Sequence, residues 1–215
     1  MSDRSVPARE TELPMFPLQS VLVPAAGLPL HVFEPRYRSL VRDVLARERP
    51  EFGVALIERG SEVGGGDERS KLGTVARIID AREAPDGRWG VVARGVTRID
   101  VVDWLPDDPY PKALVRERPE AEWTEAAGAA VAETEALVRR ALALKAELGE
   151  AAPSALVELD EDPRSRSWQL VAVAPITTYD RQGLLAVDDP RDRASRLGAL
   201  TAEELDVLAC RLRGR

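Results

Sequence analysis

Between Leu13 and Pro119 the apolar residues come in short runs broken by proline and glycine, a pattern of strands rather than helices. MFPL, VLVP and LPLHVF are interrupted at Pro17, Pro24 and Pro29, and proline belongs at strand starts, edges and bulges because it has no N–H to give to a ladder. FGVALIE, Phe52 to Glu58, predicts a more deeply buried strand. TVARIIDARE and RWGVVARG flank Pro85-Asp86-Gly87, and Asp-Gly between two strand patterns predicts a hairpin. VTRIDVVDWL and KALVRERPE supply two further strands across the turn-rich PDDPYP. One helix interrupts the series. Pro35 suits a first helical position, and Tyr37, Leu40, Val41, Val44 and Leu45 then recur at helical spacing. Six or more short, mostly antiparallel strands with one helix predict a closed or nearly closed barrel.

From about Glu122 onward the period changes. Ala130, Leu137, Ala141, Leu144 and Leu148 fall on one face of an alanine-rich helix, and Gly149 offers a left-handed stop at its end. Asp162 as cap with Pro163 at the first position starts a second helix through SWQLVAVA. A short helical pattern, YDRQGLLA, follows Thr177-Thr178, and Asp189-Pro190 opens another through RASRLGAL. The Thr201-Ala-Glu-Glu204 capping box predicts the start of a last, separate helix. The fold class expected is therefore α+β, with a flexible tail over 1–12, a β-barrel over 13–119 and a helical bundle over 120–215.

Charge and composition narrow the chemistry. The 215 residues carry a formal net charge of −7, a field that repels phosphate backbones and disfavours nucleic acid as a partner. One cysteine, Cys210, forbids an intramolecular disulfide, and with one histidine it leaves no soft-ligand cluster for zinc. In ELDVLACRL that cysteine reads as a small buried hydrophobe. No apolar run approaches the ~18 residues of a membrane span, and the charged start of the chain has no signal-peptide core, so a cytoplasmic location is expected.

Motif chemistry is sparse. GSEVGGGDERSK, with glycines at 64–66, predicts a mobile loop; it lacks the Gly-Lys-Ser/Thr of a phosphate loop, and Asp67 and Glu68 would oppose a phosphate. His31 alternates with Leu30 and Val32 in its strand, which puts its imidazole on the opposite side, at a surface or barrel rim. Its alternative role is a pH-sensitive contact in a ligand groove. No GxSxG elbow appears. The acidic pairs Asp107-Asp108, Asp160-Glu161-Asp162 and Asp188-Asp189 lack calcium-loop spacing and read as caps and turns. No catalytic residue, cofactor or metal site is expected.

The segment LPMFPLQSVLVPAAGLPLHVFEPRY, Leu13 to Tyr37, resembles the start of the Lon protease N-terminal domain family, in which a proline-rich β segment leads into a Phe-Glu-Pro-Arg-Tyr helix start. The match continues in FGVALIERG, in the Gly73-Thr74 strand, in DGRW and ARGVTRIDV, and more weakly in DRQGLLAVDDPRDRASRL. The resemblance implies a PUA-like pseudo-barrel followed by a helical bundle. In full-length Lon this domain helps select unfolded or tagged polypeptides for an ATP-driven unfoldase and a protease domain. The present chain has no Walker A sequence and is too short for those engines, so the resemblance implies a stand-alone recognition or adaptor module and no peptidase.

Phe-Glu-Pro-Arg-Tyr then has two readings. In the architectural one, Phe33 anchors in the barrel, Glu34 accepts backbone N–H groups at the helix start, Pro35 fixes the turn, and Arg36 and Tyr37 pack back onto neighbouring strands. In the other, Arg36 and Tyr37 line a peptide groove that Gln182 approaches from the helical half. The expected partners are unfolded or specific polypeptides, within a protease or chaperone system; the alternative is an RNA- or small-ligand-binding PUA-like protein. The oligomeric state is left open.

Overall fold

The computed structural model describes residues 9–59 and 68–214. The glycine-rich loop expected at 64–66 and the tail over 1–8 lie outside the described residues. Along the chain run β1 (Thr11–Leu18), β2 (Gly27–Val32), α1 (Pro35–Leu45), β3 (Glu51–Arg59), β4 (Glu68–Glu83), β5 (Trp89–Leu105) and β6 (Lys112–Arg118), then α2 (Glu125–Glu147), α3 (Pro163–Val173), α4 (Thr178–Leu185) and α5 (Pro190–Arg213). The chain divides into two compact units, Met1–Pro119 and Glu120–Arg215.

In the first unit the strands lie in the order β2-β5-β4-β3-β1-β6, and an additional β5–β6 pairing closes the sheet into a barrel that leaves β2 outside the ring. Among the described residues the parallel pair is β1 with β3, registered Met15 to Gly53 through Leu18 to Leu56. Closure depends on the length of β5. Its first half pairs with β2, Leu28 opposite Ala93, and its second half with β6, Val101 opposite Val115. The sequence divides this strand into RWGVVARG and VTRIDVVDWL, but the two runs are continuous, because register shifts in β4–β5 and at Val101/Asp103 let one strand bend around the barrel.

Both faces of the sheet carry buried residues, and the alternation of each strand assigns its residues between them. Leu13, Met15, Ala55, Val75, Ile99, Val101, Ala113 and Val115 fill the barrel interior. Phe16, Phe52, Val54, Ile78, Val91 and Ala93 form a second cluster, which Tyr37, Leu40, Val41 and Val44 of α1 cover. This is why β3 is apolar at successive positions: Phe52 and Val54 face α1 while Ala55 faces the interior.

Several local expectations change. VLVP forms no strand: Val21 to Val23 are irregular and Pro24 enters a turn. Leu22 and Val23 are buried there, the Leu22 carbonyl accepts from Thr74 Oγ1 at 2.6 Å, and Ala25 N–H donates to the Gly95 carbonyl at 2.8 Å while Gly95 N–H donates to Ala26 at 2.9 Å. The segment lies so close to β5 that a Cβ at Gly95 would run into the Val23 carbonyl oxygen. β1 begins at Thr11, within the stretch assigned to the tail. At the hairpin, Gly87 N–H donates to Ala84 and Ala84 N–H to Arg88, with Gly87 at φ +78°.

In the second unit α2 is capped by Thr124, whose side chain accepts from Ala127 N–H at 3.1 Å. It ends in a Schellman motif in which Gly149, at φ +73°, donates to Ala146 and Glu150 donates to Lys145. Its buried face is Ala127, Val131, Thr134, Val138, Ala141 and Leu142, with Ala130, Leu137 and Leu144 at the margin. Thr134 is tolerated inside because its hydroxyl donates to the Ala194 carbonyl of α5 at 2.9 Å. Thr134 meets Ala194 and Glu150 meets Arg211, so α2 and α5 run side by side in the same direction. α3 and α4 lie between them in the chain, capped by Asp162 and Thr177.

The capping box expected at Thr201 does not form, since α5 runs unbroken from Pro190 to Arg213. Thr201 is buried in mid-helix and its hydroxyl donates back to Leu197 at 2.8 Å, which satisfies it without ending the helix. Cys210 is exposed because the buried stripe of α5 passes through Leu197, Thr201, Leu205 and Leu208 and misses it. Arg193 is fully buried. Its guanidinium lies 3.7 Å over the Trp168 ring, reaches Glu120 at 3.0 Å and donates to the Val187 carbonyl and the Ser167 hydroxyl.

Gly95→Ala should lower the stability of the barrel unit by about 1–3 kcal/mol, because the new methyl meets backbone. Gly90→Ala, with open space around its Cβ position, should stay within about 0.5 kcal/mol; urea unfolding midpoints at unchanged slope check the pair. Tyr110 is buried and donates to Asp43 at 2.7 Å; burial first, then that bond, push its pKa up to about 12. A raised pKa favours the protonated phenol in the folded state. The resulting stability is complete below the ordinary value of about 10 and is lost as pH rises through 12. Ultraviolet titration of wild type against Tyr110→Phe should show one phenol ionising late.

Candidate functional site

The junction of β2 and α1 follows from proline chemistry. Pro29 can sit in β2 only with its nitrogen facing away from β5, and Pro35 starts α1 at its first turn. Among the described residues β2 pairs with β5 alone, so its other edge carries no strand. Tyr37 is buried, with its ring stacked on Phe16 at 4.0 Å between centroids and 12° between planes. Arg36 lies 4.5 Å over the Tyr37 ring, and its Nε donates to Glu34 at 3.1 Å. A cation, two rings and an anion are thus stacked into one unit at the start of the helix.

The expected roles of the motif divide. Glu34 occupies the N-cap position but makes no side-chain cap; its carboxylate turns to Arg36 instead. Phe33 does not anchor in the barrel. It follows the last residue of β2, on the side opposite Val32, and is 55% exposed. Together with Leu30, His31, Phe16 and Tyr37 it lines a recess of about 190 Å³ around the free side of β2. His31 is exposed there, as its alternation requires.

Phe33 is not alone. Val92 stands opposite Pro29 on one side and Asp80 on the other, and the register shift beside Asp80 turns Ile79 outward. Val92 and Ile79 are 45% and 64% exposed. The face of β2-β5-β4 away from α1 therefore presents apolar side chains to solvent.

Gln182 lies half-buried on α4 in the second unit. It lines neither of two grooves there: one of about 390 Å³ beside Pro175, Ile176 and Arg181, and one of about 230 Å³ beside Asp180, Glu203 and Val207. Its neighbour Arg181 holds the turn between α3 and α4, donating to the Val171 and Ala174 carbonyls at 3.1 and 3.0 Å, and burial lowers its pKa. Sequence reasoning missed this residue because nothing in DRQG marks which polar side chain turns inward.

A larger cavity, about 590 Å³, opens at one end of the barrel. Leu13, Val75, Ile99 and Val115 form its floor, and Arg9, Arg49, Arg77, Glu51 and Glu117 stand around it. Arg77 donates twice to Glu51, at 2.8 and 2.6 Å, and Thr97 donates to Glu117 at 3.0 Å. Those residues come from five strands, the α1–β3 connection and the segment before β1, so no local motif announces the cavity. Among the described residues no cluster of His, Cys, Asp or Glu could hold a metal ion, and no helix is long and apolar enough to cross a membrane.

Residues 12–202 match the model of the substrate-binding domain of ATP-dependent protease La (LON). Lon protease 2 of Herpetosiphon aurantiacus is 28% identical over 205 residues, which is 94% of this chain and 25% of that protein. The chain spans about a quarter of the length of the curated relatives it matches. The crystal structure of a Lon N-terminal domain protein from Xanthomonas campestris is similar with a TM-score of 0.61 and 30% identity, covering 88% of this chain and 98% of that one. The N-terminal domain of Mycobacterium avium complex Lon protease shares the fold, with a TM-score of 0.67 at 20% identity over 90% of this chain and 99% of that one.

Burial separates the two aromatic residues of the motif experimentally. Tyr37→Ala should cost about 3 kcal/mol or more, because it empties the stack on Phe16. Phe33→Ser should stay within about 0.5 kcal/mol, because the side chain already meets water. Thermal and urea unfolding of both variants would check this.

Proposed function

The chain belongs to the family of Lon substrate-binding domains, and on that premise we propose that it is a non-catalytic module that recognises exposed polypeptide segments. The observation that supports this best is the outward apolar face of β2-β5-β4, where Phe33, Val92 and Ile79 are exposed beside a strand edge without a partner. An extended segment can add its backbone along such an edge and place alternate side chains on the apolar face. Pro29 removes a donor from the edge, which limits strand addition to a short stretch and keeps recognition weak and reversible. In this reading Tyr37 forms the floor of the recess, and Arg36 holds Glu34 at its rim.

The reading extends to a cytoplasmic adaptor that delivers unfolded or specific polypeptides to a protease or chaperone system. RNA is less suited to the barrel, because many of its arginines are tied to carboxylates, among them Arg69 to Asp107, Arg77 to Glu51, Arg116 to Glu10 and Arg118 to Asp100. Neutralised in this way, they form no basic stripe for a phosphate backbone.

Fluorescence anisotropy with a labelled, reduced and carboxymethylated polypeptide tests the proposal. Wild-type protein should bind it, and a Phe33→Ser, Ile79→Ser, Val92→Ser variant with unchanged melting should bind about tenfold or more weakly. Equal binding by both proteins would move recognition away from this face, and no binding by wild type would refute the polypeptide reading.

A further inference from the structure

We infer that the cavity at the open end of the barrel binds the free C-terminus of a polypeptide that ends in apolar residues. The inference rests on the polypeptide-recognition reading and gives it a second, chemically distinct contact. The cavity of about 590 Å³ has the size of a small-ligand site, with room for a few terminal side chains. Its floor is the apolar layer of Leu13, Val75, Ile99 and Val115. That layer rewards the burial of an apolar group and carries no polar atom to satisfy a buried one.

Charge decides which end of a ligand faces outward. Three arginines, Arg9, Arg49 and Arg77, and two glutamates, Glu51 and Glu117, line the cavity. Glu51 is matched by the paired hydrogen bonds from Arg77. Among the described residues no ion pair engages Arg9 or Arg49, so these two guanidinium groups are the available cations in a chain whose formal net charge is −7. A carboxylate attached to an apolar body completes both halves of the site: apolar groups on the floor, the anion between Arg9 and Arg49. The rim also carries Thr11, Thr97 and the Glu117 carboxylate. They can accept from or donate to backbone amides, groups that a peptide has and a simple fatty acid lacks.

The test uses a fluorescein-labelled peptide ending in Ala-Leu-Val, as the free acid and as the carboxamide, with the full chain in low-salt buffer. The acid should bind about tenfold more tightly than the amide. An Arg9→Gln, Arg49→Gln variant should bind both forms with the weak affinity of the amide, and the Phe33→Ser, Ile79→Ser, Val92→Ser variant should keep the preference for the acid. Equal affinity of wild type for acid and amide would overturn the inference, as would a preference that survives removal of both arginines. Displacement of the peptide by octanoate at equal concentration would assign the cavity to small lipid acids and overturn it as well. Loss of the acid preference alone leaves polypeptide recognition standing, whereas failure to bind any polypeptide removes both.

Discussion

β5 is paired along nearly its whole length, to β4 on one side and to β2 and then β6 on the other. A flat strand could not meet both partners in sequence; the bulged register with β4 and the shift at Val101/Asp103 supply the curvature. Closure of the ring creates the interior layer of Met15, Ile99 and Val115, and it leaves β2 outside as an overhang on which the second layer and α1 are built. The close packing at Gly95 and the open end of the barrel follow from the same geometry.

That overhang explains why an outward face of the sheet can be apolar without being a defect of folding. The α1 side of β2-β5-β4 is buried by Leu40, Val41 and Val44, while the opposite side has no covering element among the described residues of this unit. A two-faced sheet of this kind exposes every second residue of its overhang. Those residues are Val92 and Ile79 rather than lysine or glutamate, so the surface stays apolar where it meets water. The stacked Phe16, Tyr37 and Arg36 stiffen the helix start behind it.

The helical unit settles its polar groups differently. Arg193 carries a charge into a fully buried position, where an unpaired cation would be costly, and Glu120, Val187, Ser167 and the Trp168 face stabilise it there. Because Glu120 begins the unit and Arg193 belongs to α5, this one side chain connects the two ends of the unit's fold. Thr134 does the same between α2 and α5, where the near approach of Gly198 leaves room for little else.

Much of this was legible in the sequence because it is local. Short apolar runs, Asp86-Gly87, Pro35, Asp162 and Gly149 act on their own neighbours through backbone sterics and capping, so they specify strands, turns and helix ends wherever the chain goes. The α+β class and the division of periods near residue 120 follow from them. What depends on distant partners was not legible. Thr201 reads as a cap but lies mid-helix, because nothing nearby breaks α5. Phe33 reads as an anchor but is exposed, and VLVP reads as a strand but runs beside β5 without pairing. The barrel-end cavity gathers Arg9, Arg49, Arg77 and Glu117 from across the first unit. Local sequence determined which elements form; only the closure of the ring, which fixes the side of the sheet each residue faces, decided which of them are core and which can meet a ligand.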